Sequence, residues 1–337
     1  MSADRRKILI RTAIFCMIAL ALLLGWLKYI DESQKEQYPE ERSEGTAEFM
    51  QSGAVEYQGD RYRKTPAVTT LLIGGIDHGA SVSEGVSTSR YRNGGQADFL
   101  LLLAIDHTNQ QIHQLQIDRD AMAEATVLSV YGRETGTRVM QICLAHSYGA
   151  NKAENARYTQ RAVQNLLGGE IQITGYYMVD YSAVSVLNDL LDGVTVVVPD
   201  DMTSVDPAWT LGSTVTLTGS QAETFVRARK SVGEGTNLER MGRQSEFMQK
   251  AIIRLREKLS ADTGFGAQVL TALKKNAAAS LSDQELLEEV YSSLRYTVLP
   301  VEYLAGEYRI GESGYMEFYP AENSAHDWIM RHLYTKE

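Results

Sequence analysis

The stretch FVRARKSVGEGTNLERMGRQ, from Phe225 to Gln244, carries Arg227, Arg229, Lys230, Arg240 and Arg243 against only Glu234 and Glu239. Guanidinium groups stay charged at any relevant pH and match phosphate oxygens with paired N–H donors. Arg240 and Arg243 are spaced to share one helix face. Arg227 and Arg229 would diverge by ~200° on a regular helix of 3.6 residues per turn, so both serve one site only if the helix ends or distorts there. The glycine-bearing SVGEGTN lets the chain fold back between the two pairs. Two outcomes fit this pattern: arginines scattered on solvated faces, where they contribute little, or guanidiniums converging on a phosphate-rich anion.

Carboxylates mark two further places. Asp77 closes LLIGGID and Asp98 opens DFLLLLAID. If those strands run antiparallel or meet across a crevice, the two carboxylates with phosphate and water oxygens suit Mg2+, which rarely uses a full protein cage. The plainer reading is a pair of solvated strand-end residues. In QIDRDA, Asp118, Arg119 and Asp120 are either a surface ion-pair run or a site in which a neighbouring carboxylate aims Arg119, since strand ends in α/β sheets often carry ligands. The histidines, His78 and His107 among them, lack metal-ligand spacing. No nucleophile elbow, P-loop or dinucleotide fingerprint is present. The tyrosines of GYYMVDYS read as half-buried packing with a wet hydroxyl.

The elements that must position these groups alternate between strand and helix. VTTLLIGGI, DFLLLLAID and QIHQLQI read as strands, the first two nearly continuously apolar as central strands are. The polar HTNQ joins the last two as a hairpin. AENARYTQRAVQNLLG and YSAVSVLNDLLDG read as helices stopped by glycine, and VTVVVP as another buried strand, halted by proline. TGSQAETFVRAR starts a helix with Thr218 or Ser220 as N-cap. RQSEFMQKAIIRLREKL is amphipathic through Phe247, Ala251, Leu255 and Leu259, and SDQELLEEVYSSL opens with a capping box from Ser282 to Glu285. This predicts an α/β fold, a single αβα sandwich domain with a central mixed β-sheet.

Composition sets outer limits. The formal net charge of -10 and pI near 5.2 exclude general nucleic-acid binding, which needs a broad basic face. Cys16 and Cys143 are the cysteines, and no structural disulfide is expected. RRKILIRTAIFCMIALALLLGWLKYI has an uncharged run from Thr12 to Leu27, extended to Ile8 if Arg11 snorkels toward the headgroups; Ile8 to Leu27 gives ~30 Å of helix at 1.5 Å per residue, enough to span a bilayer core. Arg5, Arg6, Lys7 and Arg11 precede it and acidic residues follow, so the positive-inside rule keeps the N-terminus cytoplasmic. The rival, a cleaved signal peptide, lacks its small-residue cleavage site, whereas Trp26 and Tyr29 suit interface anchors. The expected organisation is a cytoplasmic tail (1–7), a transmembrane helix (8–28), an extracellular linker (29–65) and an extracellular domain (66–335).

LLIGGID, ADFLLLLAID, LQIDRDA, AHSYG, DLLDGVTVVVPDD, LTGSQAETFVRAR and ERMGRQSEF, in that order, resemble the LytR-CpsA-Psr family, whose domain is also called the cell envelope-related transcriptional attenuator. The resemblance covers roughly residues 66 to 260 and continues more loosely toward the end. It implies a membrane-anchored phosphotransferase that moves a glycopolymer from a polyprenyl-pyrophosphate carrier to peptidoglycan in a Gram-positive type of cell wall. Wall teichoic acid and capsular polysaccharide are typical cargoes.

Residue by residue, the resemblance implies Asp77 and Asp98 as holders of Mg2+ (or Mn2+), and Arg119, Arg227, Arg229, Arg240, Arg243 and Gln244 as pyrophosphate binders. Arg119, Asp120 and Asp98 are its catalytic residues, with Asp98 or Asp120 as base. The expected partners are the lipid-linked glycopolymer, a peptidoglycan acceptor and the membrane, with no nucleic acid. The chain departs from the family pattern at Gln96 and Gln141, where basic residues are usual, at Asp118 in place of proline, and at Asn237 in place of aspartate. Those departures keep two alternatives open: a pyrophosphatase acting on the same carrier, and a divergent, non-catalytic lipid-pyrophosphate binder or scaffold.

Overall fold

The computed structural model describes residues 55–77, 94–129, 131–229 and 232–337, all within one compact unit, Gly53–Glu337. The expected membrane helix lies outside the described residues, among which no helix is long and apolar enough to cross a membrane. In chain order come β1 (Val55–Tyr57), β2 (Asp60–Lys64), β3 (Val68–Asp77), β4 (Gln96–Asp106), β5 (Gln111–Ile117), β6 (Met122–Leu128) and β7 (Glu134–Gln141). Then follow α1 (Lys152–Leu166), β8 (Gly175–Asp180), α2 (Ser182–Leu190), β9 (Val194–Val197), β10 (Thr214–Leu217), α3 (Gly219–Arg227) and α4 (Asn237–Ala261). The chain closes with α5 (Phe265–Leu273), β11 (Ala277–Ala279), α6 (Asp283–Ser292), β12 (Thr297–Tyr303), β13 (Gly306–Ile310), β14 (Met316–Pro320), α7 (Ser324–Leu333) and β15 (Tyr334–Lys336).

Among the described residues the central sheet has the order β11-β8-β3-β4-β5-β12. β3, β4 and β5 form an antiparallel meander, and β8 and β12 add in parallel on either side, so the sheet is mixed as expected. β3 and β4 lie in its middle, which explains their nearly unbroken apolar sequence: both faces are covered. Leu72, Leu102 and Leu115 are in register across three strands and join Val163 of α1 and Trp328 of α7 in one core. A second core, built on Phe225, Phe247, Leu259 and Phe265 of α3, α4 and α5, takes in Val179 of β8. Two cores around one sheet make the expected sandwich.

Two expectations change. The linker assignment reached residue 65, but β1 and β2 form a small sheet with β15, so the folded unit begins earlier and its two ends pair with each other. VTVVVP does contain a strand, β9, but it pairs with β10 outside the central sheet. Its residues alternate buried and exposed, because only one face meets the second core. A run of β-branched residues signals strand without saying which sheet takes it.

Candidate functional site

The site starts at a fault in the β3–β4 ladder. Asp77 lies opposite Gln96, but the register slips between Gly75 and Ile76, so Ala97 pairs with Ile76 and Phe99 with Gly75. Asp98 is the residue left over. Such a bulge breaks the alternation of the strand and re-aims a side chain. Asp98, 5% exposed, receives two guanidiniums: Arg119 Nη1 lies 3.0 Å from Oδ1, and Arg240 Nη1 lies 2.8 Å from Oδ2. Arg119 comes from the segment after β5 and Arg240 from the first turns of α4, so three distant parts of the chain meet here.

Arg119 also donates from Nη2 to Gln96 Oε1 at 2.5 Å and to Cys143 Sγ at 2.9 Å, and its Nε lies 3.5 Å from Asp120 Oδ1. Burial pushes the Cys143 thiol up to about 11, against the opposing pull of Arg119, so it meets the guanidinium as a neutral thiol. Asn237 ties two parts together: its Nδ2 donates to Asp118 Oδ1 at 2.7 Å while its Oδ1 accepts from Arg240 Nη2 at 2.7 Å. An aspartate at 237 would set a carboxylate against Asp118. The asparagine amide instead gives Asp118 a donor. Gln141 Nε2 donates to Asp120 Oδ1 at 3.1 Å. Burial, countered by Arg119 and reinforced by Asp118, raises the Asp120 carboxyl above its ordinary value.

Arg227 stands in an adjoining cluster. α3 ends at this residue and Ala228 is already extended, with φ -54 and ψ 133, so Arg229 leaves the helix and the ~200° divergence of a continuous helix does not arise. Arg227 Nη2 lies 2.8 Å from Asp77 Oδ1, Nη1 lies 2.9 Å from Glu223 Oε1, and the guanidinium sits 5.8 Å from the Tyr181 ring centroid. The half-buried Arg229 donates to the Gly235 carbonyl at 3.2 Å. Arg243 points elsewhere. It is 1% exposed, pairs with Asp200 at 2.5 Å and donates to the Ala228 carbonyl. Gln244 donates to Tyr181 Oη at 2.8 Å and to the Val226 carbonyl at 3.4 Å. Arg243 and Gln244 thus pin the chain on either side of Arg227.

Tyr181, Cys143 and Glu223 escaped the sequence reading. Tyr181 is buried between the two clusters, and its phenol is shifted upward by burial and then by Asp98. Nothing in GYYMVDYS sets it apart; only its position just after β8, beside the end of β3, does so.

Two buried polar atoms in the site have neither a hydrogen-bond nor an ion-pair partner: Asp120 Oδ2 and Arg240 Nε. Carboxylate oxygens lacking donors fit a hard cation, and guanidinium N–H groups lacking acceptors fit an anionic oxygen. Among the described residues no group of three or more His, Cys, Asp or Glu is placed to hold a metal. An ion held by Asp77 and Asp98 would need its shell completed by ligand oxygens.

Fold and site together define a mixed-sheet αβα protein with an arginine–aspartate network gathered where β3 ends and β4 begins. The LytR_cpsA_psr family model matches residues 24–307, and the chain belongs to that family. Protein gbs0355 from Streptococcus agalactiae has a similar structure at 18% identity and TM-score 0.62, covering 79% of this chain and 88% of that one. B. subtilis TagV matches at 20% identity and TM-score 0.58, covering 79% and 97%. TagT bound to LIIa-WTA matches at 18% identity and TM-score 0.57, covering 84% and 97%. At such identities these structures show the shared fold. No curated protein matches the chain.

Proposed function

We propose that this protein moves a glycopolymer from a polyprenyl-pyrophosphate carrier to peptidoglycan at the outer face of the membrane. Family membership supports cell-wall glycopolymer transfer in general, and TagT, a protein of the same fold, has been solved bound to LIIa-WTA. The observation that carries the reading is the convergence of Arg119 and Arg240 on Asp98, with Arg227 on Asp77 beside them.

In this reading the ion pairs hold a diphosphate site ready. Incoming phosphate oxygens take N–H groups of Arg119, Arg227, Arg229 and Arg240, supplying the positive field that phosphoryl transfer requires. Arg243 and Gln244 keep Arg227 in place. Asp77 and Asp98 would hold Mg2+ together with phosphate oxygens, and that ion would add Lewis-acid charge neutralisation. An acceptor hydroxyl attacks the phosphorus that bears the sugar. The bridging P–O bond breaks, polyprenyl phosphate leaves, and the hydroxyl proton passes to a carboxylate. Both oxygens of Asp98 face guanidiniums, whereas Asp120 keeps an oxygen without a donor, so the base role falls to Asp120. The prenyl chain would lie along α2, where Val184 and Leu187 are half-buried against the second core. The expected helix at 8–28 would anchor the domain, with the N-terminus cytoplasmic.

The test uses the full chain in detergent with a short-chain polyprenyl-pyrophosphoryl saccharide, Mg2+ and peptidoglycan fragments. Saccharide joined to the fragments, with release of prenyl phosphate, is expected. Arg119→Ala and Arg227→Ala should each lower the rate at least about a hundredfold, as loss of a charge-stabilising group does. Hydrolysis without transfer would make the protein a pyrophosphatase, binding without turnover a scaffold. Unchanged rates in both variants would overturn the site.

A further inference from the structure

The hairpin β13–β14 packs directly on the Asp118–Asp120 segment. Phe318 N donates to the Asp120 carbonyl at 2.8 Å, and Gln141 Nε2 spans Asp120 Oδ1 at 3.1 Å and the Met316 carbonyl at 2.7 Å. The Tyr308 hydroxyl donates to Asp118 Oδ2, and the Tyr308 ring meets Phe318 with centroids 5.0 Å apart. The family match ends at residue 307, so nearly all of this hairpin lies beyond it.

Register puts Tyr308 opposite Phe318 and Ile310 opposite Met316. Cross-strand partners and alternate residues share a face, so all four lie on one side of the hairpin. Phe318 is buried against the site, and Tyr308, 41% exposed, reaches it through its hydroxyl on Asp118. Ile310 and Met316 carry that face outward at 75% and 40% exposure, and Tyr315 in the turn is 67% exposed. An apolar ledge continuous with a polar site marks a place where something binds.

Charge narrows the occupant. Glu307, Glu312 and Glu317 oppose Arg309 alone within the hairpin, and Asp118 and Asp120 lie beneath it. A polyanion or an anionic lipid surface is repelled here. An uncharged saccharide fits, because its C–H faces lie on Tyr and Ile surfaces while its hydroxyls meet carboxylates and tyrosine edges. Position narrows it further. The ledge adjoins Asp120, whose Oδ1 faces Arg119 at 3.5 Å while its Oδ2 is buried without a donor.

We propose that the hairpin Gly306–Pro320 is a subsite for an uncharged saccharide acceptor, which it delivers hydroxyl-first to Asp120. This rests on the phosphotransferase reading: the hydroxyl oxygen forms the new P–O bond, its proton passes to Asp120, and the bridging P–O bond to prenyl phosphate breaks.

The experiment is calorimetry on the full chain in detergent with three probes: N-acetylglucosamine tetrasaccharide, farnesyl diphosphate, and farnesyl-diphosphoryl-N-acetylglucosamine. The double variant Ile310→Ser, Tyr315→Ala changes exposed side chains, and an unchanged Tm confirms that it folds. It should weaken the tetrasaccharide roughly five- to tenfold, the scale of lost aromatic contact, and leave both diphosphates within about twofold. No tetrasaccharide binding by the wild type, or unchanged binding in the variant, overturns the subsite. Equal loss of the farnesyl-linked sugar places the saccharide on the donor and overturns the acceptor assignment. Tighter hairpin-dependent binding of poly(glycerol phosphate) than of the tetrasaccharide overturns the uncharged class. If the wild type ignores farnesyl diphosphate yet binds the tetrasaccharide through the hairpin, the subsite stands and the phosphotransferase reading falls.

Discussion

Arg243 is enclosed, its guanidinium held by Asp200 and the Ala228 carbonyl, while Arg227 keeps about a third of its side chain in water beside Asp77 and Glu223. Removing one partner of a buried ion pair strands the other, so Arg243→Ala should lower stability by about 3–5 kcal/mol in urea unfolding. Arg227→Ala should cost no more than about 1 kcal/mol yet abolish diphosphate binding. Equal effects on stability would mean that the two arginines share one role. Asp120 makes a pH-dependent prediction. Its carboxyl is raised, chiefly by burial, so the folded state holds that proton more tightly than the unfolded chain does. The stabilisation is fully present below the ordinary aspartate value and is lost as pH rises through the raised one. Asp120→Asn should therefore melt higher than wild type at neutral pH, and the difference should fade as the medium becomes acidic. A gain that does not vary with pH would exclude ionisation as its source.

Two helix ends set the geometry of the arginines. α3 stops at Arg227 because Ala228 turns extended, and α4 begins at Thr236, whose hydroxyl accepts from Glu239 N at 3.2 Å while Glu239 returns to the Thr236 N–H at 3.0 Å. This capping box starts the helix within a turn of Arg240. Thr236→Ala should cost about 1 kcal/mol, and it should also weaken diphosphate affinity by fraying the turn that aims Arg240. Stability lost with affinity intact would separate the cap from the site. TNLE carries the same capping-box pattern as SDQE at Ser282, and both boxes form. The bulge at Asp98 was not readable, since a one-residue slip leaves the apolar pattern of either strand unchanged. The strands at 68–76 and 98–106 were readable because central strands must be apolar on both faces, and the one at 111–117 because the polar HTNQ turn sets it against its neighbour.

The ends of the domain are joined by β15, which pairs with β2 from Tyr334↔Lys64 to Lys336↔Tyr62. Deleting Tyr334–Glu337 should lower Tm, by roughly 2–4 °C for each kcal/mol lost in a domain of this size. An unchanged Tm would show that the small sheet adds nothing. Across the molecule, the net charge of -10 coexists with a local gathering of guanidiniums in which Arg119, Arg227, Arg240 and Arg243 each meet a carboxylate from another part of the chain.

From its residues alone the chain declared a mixed α/β sandwich, and its ordered motifs declared the family to which it belongs, while leaving open whether the arginines converge. Periodicity and motif order carry that information, because they record which faces must be buried and which groups must be present. Only the tertiary structure decided that Asp98 joins Arg119 to Arg240, that Asn237 accommodates Asp118, that Arg243 serves as a brace, and that a hairpin from beyond the family match covers Asp120. Each of these depends on which partner a side chain meets across a long stretch of sequence. That choice is made by the packing of whole elements, with local spacing contributing no part of it.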